Sequence, residues 1–520
     1  MNKDIRKFKN ITDYIYGLIS IPNHFFKFID SIYIQRLRNI RQLPTAQYVF
    51  PSVNHTCFEH SLGTYYLSNK YITDLKSRQS ELDINQTLIN TISLCGLFNN
   101  LGTLPFLNSF KSFFKEKYNY DFNEKEKSYD LILKLFESKG IDPECITNKN
   151  DDENCNLDII KKIFTTKNNN LKFYEQIVFN HKTGIDCESF DNLNRDIYKY
   201  GSPPLYDYNI LMNSTQVIND EICYRYKDGF SVYDYYNAKY TIATKFYYHR
   251  ISTAIELMFT DIIKLIDPIY NFNDLIKNND KFIYCFDSFL YNIKLKENKQ
   301  LKEAKIILEN IDKRNLYTFI GEYYLSNKQS DSEFNNFDAN TLLENRNKTD
   351  VKIDQDEIRI KKDVLYLGPG DFDPLNNIYF YDNEYNIIKR KNEDVSKLLA
   401  KRFKSRIIKV FLINKDKKKI LAAQNALENY KQKYKGYTHI YKSEQKIKND
   451  EGNINNYNLN IGLDIDEERE LKELNKRDNN KNNNSKNKNN KIKEKEKEKD
   501  FSEYLKQIKK EKEKEKEKKK

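Results

Sequence analysis

Apolar side chains recur at helical spacing over residues 1–300, and the pattern predicts a mainly α segment there. Leu88, Ile92 and Cys95 share one face of a helix that runs into the corner Asn99-Asn100. A second helical pattern covers 233–266 with neither Gly nor an internal Pro. It sets Lys239, Ala243, Tyr247 and Arg250 along one face. The stretches 147–156 and 326–349 are rich in Asn and Asp and read as surface loops, the second an Asn-rich insert.

The pattern changes over 357–435. Ile378-Tyr379-Phe380-Tyr381 and Tyr385-Asn386-Ile387-Ile388 flank Asp382-Asn383-Glu384, a hairpin signal. A helix fits 395–403, a strand 407–413 and a helix 420–434. The expected fold class is therefore mainly α: a helical core over 1–300, then a C-terminal α+β module over 301–435. From 436 to 520 Lys, Glu and Asn dominate, ending in Glu-Lys alternation. Such a segment cannot bury enough apolar surface to offset its ordering entropy, so a disordered, low-complexity charged tail is expected.

The 39% hydrophobic and 32% charged fractions average over these two populations. A net charge of +12 suits a polyanionic partner, nucleotide or nucleic acid. A Lys-rich coding bias explains it as well, since Lys and Asn crowd even the loops. The seven cysteines form no CxxC pair, which argues against a disulfide framework or a zinc site. No leader and no membrane-spanning run is visible. The expectation is an intracellular protein, of nucleus or cytoplasm, with no membrane partner.

Two motifs carry the chemistry. Asp30-Ser31-Ile32-Tyr33-Ile34-Gln35-Arg36-Leu37-Arg38-Asn39-Ile40-Arg41-Gln42-Leu43 resembles the QRLRxIxQL signature of the HD-domain deoxynucleoside triphosphate triphosphohydrolases. Val49-Phe50-Pro51, Phe58-Glu59-His60-Ser61-Leu62-Gly63, Gly184-Ile185-Asp186, Phe190-Asp191 and Arg195-Asp196 continue it in order. Tyr233-Asp234, Tyr247-Tyr248-His249-Arg250 and Arg314-Asn315-Leu316 extend the likeness over most of 5–435. The resemblance is to the eukaryotic branch that joins a SAM domain to the HD domain, although no SAM domain is expected ahead of this chain. It implies an HD-domain helical core.

The resemblance implies a metal held by a His, an adjacent His-Asp pair and a distant Asp. Imidazole and carboxylate suit that role because they offer basic lone pairs, and carboxylates add balancing charge. Here His60 matches the first ligand, and the pair reads Asn99-Asn100. The distant Asp aligns with Glu188, with Asp186 and Asp191 nearby. The family's catalytic His becomes Thr103, later His positions read Asn108 and Glu124, and a phosphate-contacting Arg becomes Cys57. On the substrate side Gln42, Tyr247 and Asp196 remain, Lys239 replaces an Arg and Ala243 a His. No catalytic residue, metal or other cofactor is expected; His60, Glu188 and Asp191 are the residual donors. With its partner ligands replaced, His60 beside Glu59 reads as a hydrogen-bonded core histidine ahead of a metal ligand.

The same resemblance implies a regulatory guanine nucleotide read by Asp30, Gln35 and Arg38, with Lys9 toward its phosphates. A second nucleotide position would be lined by Val49, Phe50, Arg225, Lys227, His249 and Arg250, with Ile210 and Thr318 standing where the family has basic residues. Asp30, Gln35 and Arg38 at helical spacing fit a structural polar cluster too. The leading expectation is a catalytically degenerate homologue, or pseudoenzyme, that binds a guanine nucleotide or dNTP and regulates or scaffolds. It would act as a homo-oligomer or with an active paralogue. One alternative is an active dGTP/dNTP triphosphohydrolase with a rebuilt divalent site (Mg, Mn or Fe). Another is a nucleic-acid-binding protein.

Overall fold

A computed structural model describes residues 8–141, 155–166, 171–325, 329–397, 399–434 and 437–439. They belong to one compact unit spanning Met1–Tyr441. The helix Cys57–Arg78 forms its axis. Glu59 closes a capping box on Thr56, its Oε2 accepting from the Thr56 N–H at 2.7 Å. Against it lies the helix Gln86–Phe98, capped by Asn85, whose side chain accepts from Leu88 N–H at 2.8 Å. Every residue from Leu88 to Phe98 in that helix is buried, as an all-round apolar helix requires. Gly96 lets the two helices touch: a Cβ there would stand 2.7 Å from the Thr64 carbonyl.

Three sheets decorate the helices. The hairpin β1 (Phe8–Asp13) and β2 (Gly17–Pro22) is antiparallel. A second sheet joins β3 (Thr215–Ile218), β4 (Glu221–Arg225), β7 (Tyr379–Tyr381) and β8 (Ile387–Ile388) in that order. β4 and β7 pair in parallel. The hairpin expected around Asp382 is present, and through β7 it completes a sheet that begins at Thr215. In the third sheet β10 (Tyr437–His439), β5 (Thr318–Tyr324), β9 (Lys404–Leu412) and β6 (Ile358–Tyr366) run antiparallel, with the helix Lys417–Tyr434 packed on β5.

Several sequence expectations are corrected. The helix expected over 233–266 is three pieces: Gly229–Ile242, a π-turn Ala243–Tyr247, and Arg250–Tyr270 starting at the cap His249. The reason is aromatic. Phe246 stacks on Tyr200 at 4.0 Å, the Tyr247 hydroxyl donates to Asp196, and the Lys409 ammonium lies 5.0 Å from the Tyr248 ring. Three consecutive rings with separate partners are not served by one straight α-helix, and a π-turn re-aims them.

The 326–349 insert is not a plain surface loop. It holds the short helices Asp331–Asn336 and Ala339–Glu344, which bury Phe334, Phe337 and Leu342 in a second core with Ile320, Tyr323, Ile408, Val410 and Ala426. The helix expected at 395–403 is not formed among the described residues; a short helix, Asn392–Val395, ends where it should begin. Beyond it the Ala400 N–H donates to the Tyr233 hydroxyl at 3.2 Å, a side-chain partner far away in sequence in place of the carbonyl one helical turn back. The strand and helix that follow occur, at 404–412 and 417–434. Within the tail expected from 436, residues 437–439 form strand β10; its remainder, and 147–154 of the first loop, lie outside the described residues. Among the described residues no helix is long and apolar enough to cross a membrane.

Phe337 is 1% exposed in the second core. Phe337→Ala is therefore expected to cost about 3–5 kcal/mol in urea unfolding, where a surface loop would give a change within about 0.5 kcal/mol.

Candidate functional site

The site is built at the end of the Gln86–Phe98 helix, where the chain turns through Asn99-Asn100-Leu101-Gly102-Thr103. Arg36 fixes that turn. Its guanidinium donates to the carbonyls of Leu101 at 2.8 Å and Thr103 at 2.9 Å, and lies 4.7 Å from the Phe282 ring. Burial lowers its pKa to about 10, so it stays charged. The sequence placed Arg36 in a motif but gave it no role. Its clue was a third cation in one short signature, beside Arg38 and Arg41.

His60 is fully buried one helix away. Its Nδ1 lies 2.7 Å from Asp191 Oδ2, and its Nε2 lies 3.7 Å from Glu188 Oε1. Asp191 Oδ2 also accepts from Arg195 Nε at 2.8 Å, and Arg195 reaches Asp13 at 2.8 Å. Burial opposes charge on His60, but the bonds to Asp191 and Glu188 outweigh it and raise its pKa to about 9. Burial likewise works against Glu188, yet the His60 bond and the Lys125 and Lys239 ammoniums hold it well below the usual carboxylate range. Gly63 is forced here, since a Cβ would stand 1.8 Å from Asp191 Oδ1.

Asn99 and Asn100 sit on the same corner. The Lys125 ammonium donates to Asn99 Oδ1 and rests 3.6 Å from the Phe179 ring centroid. Asn99 Nδ2 is buried without a hydrogen-bond partner, and Asn100 Nδ2 donates to Ser61 Oγ at 3.4 Å. Glu124 pairs with Lys111 at 2.6 Å, Asn108 is exposed, and Thr103 is buried with its carbonyl held by Arg36.

The metal implied by the resemblance was tested against these atoms. His60 Nε2 and Asp191 Oδ1 are buried and lack hydrogen-bond partners, so two donors remain. The corner that should supply the other two offers weak amide ligands, one already capped by an ammonium. Among the described residues no three His, Cys, Asp or Glu side chains come together as a metal site. The residues present do not fit a resident metal.

The substrate side is partly assembled. Tyr247 donates to Asp196 Oδ2, whose Oδ1 lies 3.0 Å from His55 Nε2. His55 is buried and was missed as a site residue; its place in the His55–Gly63 run was the only signal. A pocket of about 190 Å³ is lined by Lys239, Ala243 and Tyr247 and closed by Val364, Leu365 and Tyr366 of β6. Cys57 and Gln42 form a separate pair, Sγ to Oε1 at 3.2 Å, and burial pushes the Cys57 thiol far up. A neutral thiol there offers phosphate no positive charge.

Lys9, Asp30 and Arg38 are exposed. Gln35 donates from Nε2 to the Ile29 carbonyl at 2.8 Å and accepts from Arg38 Nε at 2.8 Å, while Arg38 stacks 3.6 Å from the Phe58 ring. Of the second nucleotide group, Phe50 meets His249 edge-on at 5.6 Å beside Val49, and burial together with Arg250 lowers the His249 pKa. Arg225 pairs with Asp228 at 2.9 Å, and Lys227 is exposed in the same short turn. His249 is engaged as a helix cap, its Nδ1 accepting from Ile251 N–H at 3.3 Å.

A His on one helix, a corner residue pair on the next and an acidic third helix define an HD-domain core. No family model matches the sequence. Full-length relatives do. It is 28% identical over 415 residues to the deoxynucleoside triphosphate triphosphohydrolase SAMHD1 homolog of Dictyostelium discoideum, covering 79% of this chain and 78% of that one. It is 26% identical over 457 residues to the human deoxynucleoside triphosphate triphosphohydrolase SAMHD1, covering 80% and 72%. It is 28% identical over 400 residues to an HD domain-containing protein of Acanthamoeba polyphaga mimivirus, covering 71% and 84%. Over most of its length the chain is thus similar to deoxynucleoside triphosphate triphosphohydrolases and to an HD domain-containing protein.

The raised pKa of His60 has a signed consequence. Its charged form is favoured by folding, so the stabilisation is complete below about 6.5, the unfolded value, and fades as pH rises through about 9. The groups facing it are Asp191, Glu188, Arg195, Lys125 and Lys239. The unfolding free energy of the unmodified chain is expected to fall between pH 6.5 and 9 more steeply than that of His60→Gln, as read by urea titrations at each pH. Arg36→Met should cost about 3–5 kcal/mol, because it leaves the Leu101 and Thr103 carbonyls buried without donors.

Proposed function

We propose that this chain is a catalytically degenerate member of the HD-domain deoxynucleoside triphosphate triphosphohydrolase family that binds nucleotide and serves as a regulatory or scaffold protein. One observation carries the reading: the Lys125 ammonium is hydrogen-bonded to Asn99 Oδ1, on the corner where the family's hydrolytic metal would be held. Hydrolysis of a triphosphate ester needs charge stabilisation of the phosphate and a group that delivers or takes a proton. Thr103 has no proton to exchange near neutral pH. His60 has Nδ1 committed to Asp191, and Cys57 is a buried neutral thiol. The pocket beside Tyr247, at about 190 Å³, is small for a ligand site.

The unmodified protein is expected to release no triphosphate from any dNTP, with or without GTP and Mn²⁺. It should also purify with far less than one iron, manganese or zinc per chain. Asn99→His with Asn100→Asp alone should not restore turnover. Robust triphosphate release by the unmodified chain reverses the reading in favour of an active dNTP triphosphohydrolase with an oxygen-rich Mg²⁺ site.

The nucleotide arm rests on Lys9, Asp30 and Arg38, which remain exposed although Gln35 is engaged within the chain. Asp30 can accept from the N1 and N2 hydrogens of guanine. A ligand that binds only the folded state adds about 2.7 kcal/mol at one hundred times its Kd. GTP or dGTP should raise Tm more than ATP does, and Asp30→Ala should erase the difference. Equal shifts with all nucleotides, unchanged by Asp30→Ala, would make the cluster structural.

A further inference from the structure

We propose that Lys125 is the resident cation of the degenerate HD pocket, a tethered ammonium that excludes a metal even when the missing ligands are restored. The inference rests on the reading above and assigns the exclusion to one side chain that the sequence motifs do not contain. Lys125 occupies the second position of the helix Glu124–Ser138, capped by Asn123. A positive charge in a first helical turn opposes the macrodipole and is locally unfavourable. The position therefore requires compensation from outside the helix, and the pocket supplies it in three forms.

The first is the Asn99 Oδ1 acceptor, on one of the two positions that would carry the pair of metal ligands. The second is the face of Phe179, 3.6 Å from Nζ, which attracts a cation through the ring quadrupole. The third is the field of Glu188, Glu124 and Asp186, which favours the ammonium against the burial that lowers its pKa. Asn99 thus presents its oxygen to a cation, as a metal ligand would, while its Nδ2 points to no partner. An amide is suited to this arrangement. A His at the same position would bring either an N–H or a lone pair to an ammonium that remains in place, and a divalent ion added beside it would meet a like charge across low-dielectric protein.

Charge and not volume is the operative property, so the test varies charge. Four full-length proteins are compared: the unmodified chain; Asn99→His with Asn100→Asp; that pair with Lys125→Gln; and that pair with Lys125→Arg. Each is checked for folding by thermal melt, titrated with Mn²⁺, and analysed for bound manganese. The unmodified chain, the double variant and the Lys125→Arg variant should bind manganese far below stoichiometry. The Lys125→Gln variant should take about one ion per chain, with a Kd on the order of tenfold or more below that of the double variant.

Stoichiometric manganese in the double variant or in the Lys125→Arg variant overturns the proposal, because the ligands would then accept a metal beside a cation. A folded Lys125→Gln variant that binds no more than the double variant also overturns it. If the Lys125→Gln variant does not fold, the other two variants still decide, since both retain the charge. Stoichiometric metal in the unmodified chain sinks the earlier reading as well, whereas metal in the double variant alone sinks only the role of Lys125.

Discussion

The structure hangs on one buried carboxylate. Asp191 Oδ2 is shared by His60 on the axial helix and by Arg195 one turn along its own helix, and Arg195 extends to Asp13 at the end of β1. Three separate segments meet at this point with almost no solvent. A lone buried charge would be strongly unfavourable, and removing one partner of such a set typically costs about 3–5 kcal/mol. The set therefore fixes the spacing of its helices. Gly63 follows from it, since the axial helix passes too close to Asp191 for any side chain. So does the raised pKa of His60, which is a consequence of its neighbours and says nothing by itself about catalysis.

A second clamp holds the other half of the site. Arg36 binds the Leu101 and Thr103 carbonyls of the turn that follows Asn99-Asn100, contacts that involve neither of those side chains. The backbone of the corner is thus held by contacts in which the side chains at 99 and 100 take no part. That separation explains how two ligand positions can become amides while the helices stay in place. Scaffold and chemistry are supported by different residues, and loss of one does not require loss of the other.

Much of this was legible in the sequence because it is written in periodicity and local motifs. The burial of Leu88, Ile92 and Cys95, the hairpin around Asp382 and the strand and helix after 404 follow from spacing alone. What failed was non-local. The break in the 229–270 helix depends on Tyr200, Asp196 and Lys409, which no window around Tyr247 contains. The 326–349 insert looked like a loop because it is polar on average, yet Phe334, Phe337 and Leu342 suffice to dock two short helices. At the site, Asn99-Asn100 was readable as a replacement. The cation that faces it was not, because Lys125 is one lysine among many and only the fold brings its ammonium to Asn99.

The charge inventory shows how the pocket balances much of its charge internally. Asp13, Asp186, Glu188 and Asp191 are its carboxylates; Arg195, Lys125, Lys239 and His60 are the groups set against them. In a metal-bound HD pocket a divalent ion would do part of that neutralisation from outside the chain. Here Arg195, Lys125, Lys239 and His60 face those carboxylates where the acidic helix Cys187–Lys199 packs against the helix Cys57–Arg78. Buried charges are tolerated only when each is paired. A pocket that meets much of this condition internally draws less on an ion for folding, and its acidic residues carry a structural role whether or not they also bind a metal.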